Sequence, residues 1–301
     1  MATIGVIGLG NMGVRMAANL VKAGHSVWGY DIAIARREEA SALGVTIVDD
    51  MTDVASGTDA VITMLNAGST VIDVWRRVAA RMTLGSLMID CSSIDVERSR
   101  QAHTIARNAG LLSLDAPVSG GVEGAANATL TFMVGGEEAA LEAGKPLLAA
   151  MGRRIVHCGG EGNGEAAKIC NNMILGISMI AVCEAFLLAD ELGLSRQALF
   201  DVSSNASGQC YALTTHCPVP GPVPSSAANH GYQPGFDAAL MAKDLKLSQE
   251  CAGFSGASTP LGAAAASLYE QYVKRDGAGV DYAGILHFLA DLPKAGGNRI
   301  A

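Results

Sequence analysis

TIGVIGLGNMG (Thr3–Gly13) sets a β-branched apolar run directly against a glycine-rich turn. Thr3–Gly8 reads as a buried strand, because short apolar stretches that end in glycine suit a sheet interior. Beyond it, Asn11 to Ala23 places Met12, Met16 and Leu20 at helical spacing and closes at Gly24, a residue suited to a helix C-terminus. GLGNMG (Gly8–Gly13) therefore has the G-x-G-x-x-G pattern between a strand and a helix, the context in which that pattern has a mechanism. Gly8 permits the tight turn, Gly10 lets the backbone approach a pyrophosphate, and Gly13 permits close helix–strand packing. The helix N-terminus faces the negative charge. Gly8, Leu9, Gly10, Asn11, Met12 and Gly13 are the expected cradle.

Working outward, SVWGY (Ser26–Tyr30) is a second strand, followed by Asp31 at close to the separation of about 20 residues expected of a ribose-binding carboxylate. A carboxylate there accepts hydrogen bonds from the ribose and repels a 2′-phosphate, so NAD is expected in preference to NADP. Arg36 and Arg37 are the nearby cations that could favour a phosphate, and they read more simply as a solvated helix start. Further strands are expected at 45–49, 60–65, 86–90, 111–115, 129–136 and 154–159, with helices between most of them. That alternation predicts an α/β, doubly wound, mainly parallel Rossmann sheet. After residue 160 strand signals vanish, and helices are expected at 164–192, 195–204, 237–253, 260–274 and 281–291. The expected plan is a dinucleotide-binding domain over 1–162 and an all-α substrate and dimerisation domain over 163–301, beginning with a long interdomain helix. CPVPGPVPSSAANHGYQPG (217–235) holds five of the nine prolines and reads as a surface crossing or an active-site rim.

Composition narrows the function class. The chain has 301 residues, half of them hydrophobic and 17% charged, as a compact folded protein does. A net charge of −8 and the absence of any Lys/Arg stripe argue against a nucleic-acid partner. Cysteines 91, 158, 170, 183, 210, 217 and 251 form no CxxC pair, so neither a metal site nor a disulfide framework is expected, and reduced thiols point to the cytoplasm. The longest apolar run reads as too short and too interrupted to span a membrane, and TIGVIG from residue 3 leaves no room for a leader.

Ligands of doubly wound sheets lie across the C-terminal strand ends. That rule points to Met64, Leu65 and Asn66 and to Ser92 and Ser93 as cofactor contacts. DAPVSGG (Asp115–Gly121) offers backbone N–H groups beside a serine hydroxyl, which is a carboxylate cradle or a plain turn. In GNGEAAKICNN (Gly162–Asn172), Glu165, Lys168 and Asn172 share one helix face, with Asn171 beside them. At positions 175, 176 and 179 the stripe gives way to Leu, Gly and Met, so the polar patch is local and the remaining helix, apolar nearly all round, is expected to be buried. Lost hydration favours the neutral form of the Lys168 amine, which suits it to proton exchange near neutral pH in an interdomain cleft. Lys243, in MAKDLKL, reads on its own as a surface charge.

Taken together, GLGNMG, ITML, IDCSSID, DAPVSGG, LTFMVGG, GNGEAAKICNNM, CPVPG and LMAKDLKL, in this order along essentially the whole chain, resemble the β-hydroxyacid dehydrogenases. The resemblance implies that Lys168 is the catalytic general acid/base and that Asn172 helps hold the substrate. It places Ser119, Gly120 and Gly121 around the substrate carboxylate, Lys243 near nicotinamide and substrate, and Leu65, Asn66, Thr70 and Ser93 on the cofactor. It also implies a homodimer or homotetramer with the long helix at the contact, and a short hydroxyacid substrate. 3-Hydroxyisobutyrate is the first expectation. Reduction of tartronate semialdehyde on the same scaffold is the alternative, and a nucleotide-binding sensor without catalysis is a further one. One departure is Ala128, where the family pattern has glycine; alanine is strained at positive φ, which puts the local loop path in question.

Overall fold

The computed structural model describes residues 1–293. The chain divides into two compact units, Met1–Lys168 and Ile169–Ala301.

In the first unit the strands are β1 (Thr3–Ile7), β2 (Ser26–Tyr30), β3 (Thr46–Ile47), β4 (Ala60–Thr63), β5 (Leu87–Asp90), β6 (Leu112–Asp115), β7 (Val118–Ser119), β8 (Leu130–Gly135) and β9 (Gly152–Gly159). Their order is β3-β2-β1-β4-β5-β6-β8-β7, with β9 also paired to β8. Pairings from β3 through β6 are all parallel, as a doubly wound sheet requires. β8 then runs antiparallel to β6 and β7 and parallel to β9. The helices are α1 (Gly13–Lys22), α2 (Ile34–Ala42), α3 (Gly68–Ala79), α4 (Val96–Asn108), α5 (Gly121–Ala126) and α6 (Glu138–Met151).

Successive strand residues point to opposite faces, and the sheet has a core on each. Ile62 and Ile89 join Met16 and Leu20 of α1 and Leu148 of α6 in one cluster. Their neighbours Val61 and Met88 join Val71, Trp75 and Val78 of α3 and Ala102 of α4 in the other. Apolar residues on both faces of the strands are what a sheet covered by helices on both sides demands. The strand order reverses at β1, which lies between β2 and β4, so the crevice of the switch point opens above the glycine turn.

The second unit is helical among its described residues. It takes in most of α7 (Asn163–Glu191), then α8 (Arg196–Ser203), α9 (Tyr211–Thr214), α10 (Ala238–Ser255), α11 (Pro260–Tyr272) and α12 (Ile285–Ala290). Ser195 and Asp237 cap α8 and α10 with their side chains, and Gly256 ends α10 in the left-handed conformation. Met179, Cys183 and Phe186 of α7 share a core with Met241, Leu245, Tyr269 and Phe288. A Cβ on Gly176 would stand 3.0 Å from Leu245, so glycine lets α7 and α10 approach closely.

Three expectations need correction. The proline-rich segment is not simply a surface crossing: Cys217 and Val219 are fully buried in the second core, because its apolar residues between prolines turn inward. α7 is not buried all round, since Ile174 is 63% and Leu188 60% exposed. An apolar circumference does not distinguish a face buried within one chain from a face left for another surface. Finally, Asn163–Glu191 does reach the length and composition of a membrane span, with a mean hydropathy of 2.0 over an 18-residue stretch. Its buried Glu165, Lys168 and Asn172, and its share of the second core, are nonetheless those of a core helix.

Candidate active site

The three glycines of the turn meet different constraints. Gly8 has φ +93°, and a Cβ there would fall 2.2 Å from the Met64 carbonyl oxygen. A Cβ on Gly13 would fall 1.9 Å from the Gly8 carbonyl oxygen. Both positions are closed to any other residue by the protein itself. Gly10 differs, since a Cβ there would meet nothing within 4 Å. The space above it is open, as the close approach of a pyrophosphate to the backbone would require. α1 begins with no side-chain cap and no acidic residue in its first turn; the Val14 and Arg15 N–H groups already donate to the Gly10 and Met12 carbonyls, so an anion here would meet the turn just ahead of them. These features fit a dinucleotide.

Asp31 follows β2 and ties the turn down. Its Oδ2 accepts the Leu9 N–H at 2.7 Å and its Oδ1 accepts the Ala33 N–H at 2.8 Å. Carboxylate oxygens hold about four lone-pair sites, so acceptor capacity remains for a ribose. Arg36 donates to Glu39 at 2.7 Å and to Asn11 Oδ1 at 2.8 Å. Arg37 donates to the Asp31 carbonyl and lies over the Tyr30 ring at 4.5 Å. Both guanidinium groups are thus engaged within the fold.

At the ends of β4 and β5 lies a buried polar chain. Trp75 Nε1 donates to Thr63 Oγ1 at 3.0 Å, and Thr63 donates to Asp90 Oδ1 at 2.7 Å. Ser92 Oγ donates to the same Oδ1 at 2.6 Å and accepts the Leu65 N–H at 2.8 Å. Leu65 and Asn66 are therefore positioned from beneath by Ser92. Asp90 Oδ2 has no hydrogen-bond partner among the described residues, and burial pushes the carboxyl up to about 6, with nearby Asp115 adding to the rise. Ser93 is half-buried, and Asn66 and Thr70 are exposed beside the start of α3.

In DAPVSGG, β7 carries Ser119 alongside β8, and Gly120 and Gly121 have φ +134° and +62°, a path that favours glycine. Ala128 closes the same excursion with φ +52°, so the strained alanine conformation anticipated from the sequence is present.

Asp115, the first residue of that motif, reaches the start of α7. Its Oδ1 accepts the Gly162 N–H at 2.9 Å and its Oδ2 the Glu165 N–H at 3.0 Å. His103 Nε2 lies 2.8 Å from Oδ1, and His103 Nδ1 lies 2.8 Å from Ser113 Oγ. Glu165 Oε1 accepts the Ile94 N–H at 3.2 Å. Lys168 follows one turn after Glu165, buried at 8% exposure. Asn172, one turn further along α7, belongs to the second unit; its Nδ2 donates to Asp244 Oδ2 at 2.5 Å, and its Oδ1 accepts from Asn171 at 3.0 Å. Lys243 is half-buried on α10, next to buried Asp244.

Hydrogen bonds thus join Leu9 to Asp31 and Leu65 to Ser92, and Gly8 leaves no room for a side chain beside the Met64 carbonyl. Four residues went unassigned in the sequence reading: Asp90, His103, Asp115 and Asp244. Two carried a signal. Asp90 and Asp115 each end an apolar strand, where a carboxylate is buried and has to find donors.

Comparison with known proteins bears on the same features. Residues 3–160 match the family described as the NAD binding domain of 6-phosphogluconate dehydrogenase. Residues 162–289 match the family described as NAD-binding of NADP-dependent 3-hydroxyisobutyrate dehydrogenase. A probable 3-hydroxyisobutyrate dehydrogenase of Mycobacterium tuberculosis is 48% identical over 96% of this chain and 98% of its own. The chain belongs to the 3-hydroxyisobutyrate dehydrogenase family. Within that family, the solved Mycobacterium tuberculosis 3-hydroxyisobutyrate dehydrogenase with L-serine superposes with a TM-score of 0.94, at 48% identity over 96% of this chain and 99% of that one. An NAD-dependent L-serine dehydrogenase of Pseudomonas aeruginosa is 42% identical over 94% of this chain and 96% of its own. The chain is an NAD-dependent hydroxyacid oxidoreductase acting on a small molecule.

Proposed function

We propose that this chain interconverts 3-hydroxyisobutyrate and methylmalonate semialdehyde, a step of valine catabolism, with Lys168 as general acid/base. The observation that carries this reading is the burial of Lys168, 8% exposed, on a helix whose start is held by Asp115. Burial disfavours the charged form of an amine, and a positioned amine that exchanges protons is worth roughly 10²- to 10⁴-fold in rate.

When bound, NAD supplies the hydride acceptor. Gly8 to Gly13, Asp31, Met64, Leu65, Asn66, Thr70 and Ser93 are assigned to hold it. The Lys168 amine takes the hydroxyl proton of the alcohol and returns it in the reverse direction. Ser119 and the N–H groups of Gly120 and Gly121 are assigned to the substrate carboxylate. Asn172 is assigned to orienting the substrate, and Lys243 to substrate and cofactor. Asp31, whose carboxylate repels a 2′-phosphate, supports NAD over NADP. Seven free thiols support a cytoplasmic location. The exposed apolar stripe of α7 supports a homodimer or homotetramer.

L-Serine is a second reading, favoured by the serine-dehydrogenase relative and by the solved Mycobacterium tuberculosis protein with L-serine. It has the same CH₂OH–CH–carboxylate frame, with an amine in place of the methyl group. Lys168→Ala is expected to lower kcat by about 10²-fold or more while NAD binding persists; wild-type turnover would remove the lysine from the mechanism. Steady-state kinetics on 3-hydroxyisobutyrate, L-serine and D-glycerate, with NAD and NADP, should give the highest kcat/KM for 3-hydroxyisobutyrate with NAD. A higher value for either rival would reassign the substrate.

A further inference from the structure

Asp115 lies at the end of β6, opens the loop assigned to the substrate carboxylate, and ends against the helix that carries the lysine. It is 2% exposed, yet its carboxylate is well supplied with donors. The Gly162 N–H lies just ahead of α7 and the Glu165 N–H in its first turn, where backbone donors lack partners within the helix. A carboxylate at that end also complements the helix dipole. The surroundings leave it no latitude. A Cβ on Gly135 would fall 2.4 Å from Asp115 Oδ1, and one on Gly164 would fall 2.8 Å from Oδ2.

His103 holds the carboxylate at the same Oδ1 that accepts the Gly162 N–H. It is 1% exposed, its Nε2 faces Asp115 Oδ1 and its Nδ1 faces Ser113 Oγ. A neutral imidazole with its proton on Nε2 satisfies both contacts, donating to the carboxylate and accepting from the serine hydroxyl. The chain Ser113–His103–Asp115 therefore ends in two backbone donors, one just ahead of α7 and one in its first turn, and Lys168 stands one turn beyond the second of them.

We infer that Asp115, oriented by His103, is a positioning residue for Lys168: it fixes the origin and rotation of α7 and so the place of the amine. The inference rests on the reading of Lys168 as general acid/base. Its energetic basis is direct. A proton acceptor displaced by about 1 Å loses on the order of 10²-fold in rate, whereas the glycine turn is held by Asp31 and packs against Met64, neither of them on α7.

Four variants and one combination test this. Asp115→Asn keeps the shape and removes the charge; it is expected to lower kcat by about 10- to 100-fold, with KM for NAD changed less than about twofold. His103→Gln retains a donor at the Nε2 position and should stay within about threefold of wild type, while His103→Phe fills the space without a donor and should follow Asp115→Asn. In a Lys168→Ala background Asp115→Asn should cause no further loss, because an effect transmitted through the lysine disappears with it. The inference is overturned if Asp115→Asn keeps wild-type kcat, if kcat and KM for NAD change together, or if the same factor is lost in the Lys168→Ala background. Should Asp115→Asn fail to fold, the His103→Gln and His103→Phe pair decides, and equal kcat in the two overturns it. Wild-type turnover by Lys168→Ala alone would instead sink the general acid/base reading, whatever Asp115 does.

Discussion

Single residues show where the fold tolerates electrostatic and conformational cost. Asp90 is held at about 6 by burial, reinforced by Asp115 and opposed by hydrogen bonds from Ser92 and Thr63. An unfolded aspartate releases its proton near 3.8. Between those values the folded chain binds more protons than the unfolded one, so the Asp90 contribution to stability falls as pH rises through that window. Above about 6 the loss is complete and on the order of 3 kcal/mol. Chemical denaturation of wild type and Asp90→Asn between about pH 4 and pH 6.5 should show the difference between the two shifting against wild type; a constant difference would contradict this. Ala128, at φ +52°, should be improved by Ala128→Gly, raising stability by about 1 kcal/mol in the same assay. The glycines of the turn were legible in the sequence because backbone geometry dictates glycine at fixed offsets. Asp90 and Asp115 were legible only as carboxylates at strand ends, and His103 and Asp244 not at all, because the partners of a buried polar side chain arrive from distant parts of the chain.

Among the elements, the parallel strands and the long helices could be read from apolar runs and helical spacing. β7 could not, since Val118–Ser119 sits between a proline and two glycines and reads as a loop, and the antiparallel direction of β8 follows from the reversal over residues 120–129, which includes α5, rather than from its own residues. α7 is the informative failure: its composition implied complete burial, yet it keeps an exposed apolar stripe that includes Ile174 and Leu188. If a second copy covers this stripe, Ile174→Asp should lower the mass measured by light scattering to that of a single chain of 30.8 kDa. An unchanged oligomer, or a wild-type protein already of single-chain mass, would assign the stripe elsewhere.

For the molecule as a whole, the change of texture near residue 160 announced two structural regimes, and the chain divides after Lys168, inside α7 rather than ahead of it. Sequence could not place the division within a helix, because a continuous helical pattern carries no mark of which core each turn joins. The glycine turn, Asp31 and the β4 and β5 termini all belong to the first unit. A ligand that binds only the folded state adds about 2.7 kcal/mol at a concentration 100 times its Kd. Calorimetry with NAD at that ratio should show a stabilisation of this size, and the same concentration of NADP should give much less. Equal shifts would mean that Asp31 does not discriminate.

The imidazole locked between Ser113 and Asp115 has a consequence for observation. In the tautomer that satisfies both contacts, the proton on Nε2 is sealed from water and directed at a carboxylate, so in a magnetic-resonance spectrum it should appear far downfield and exchange slowly. That single signal gives the enzyme an internal gauge, native to the chain and needing no label, of whether the lysine-bearing helix is seated.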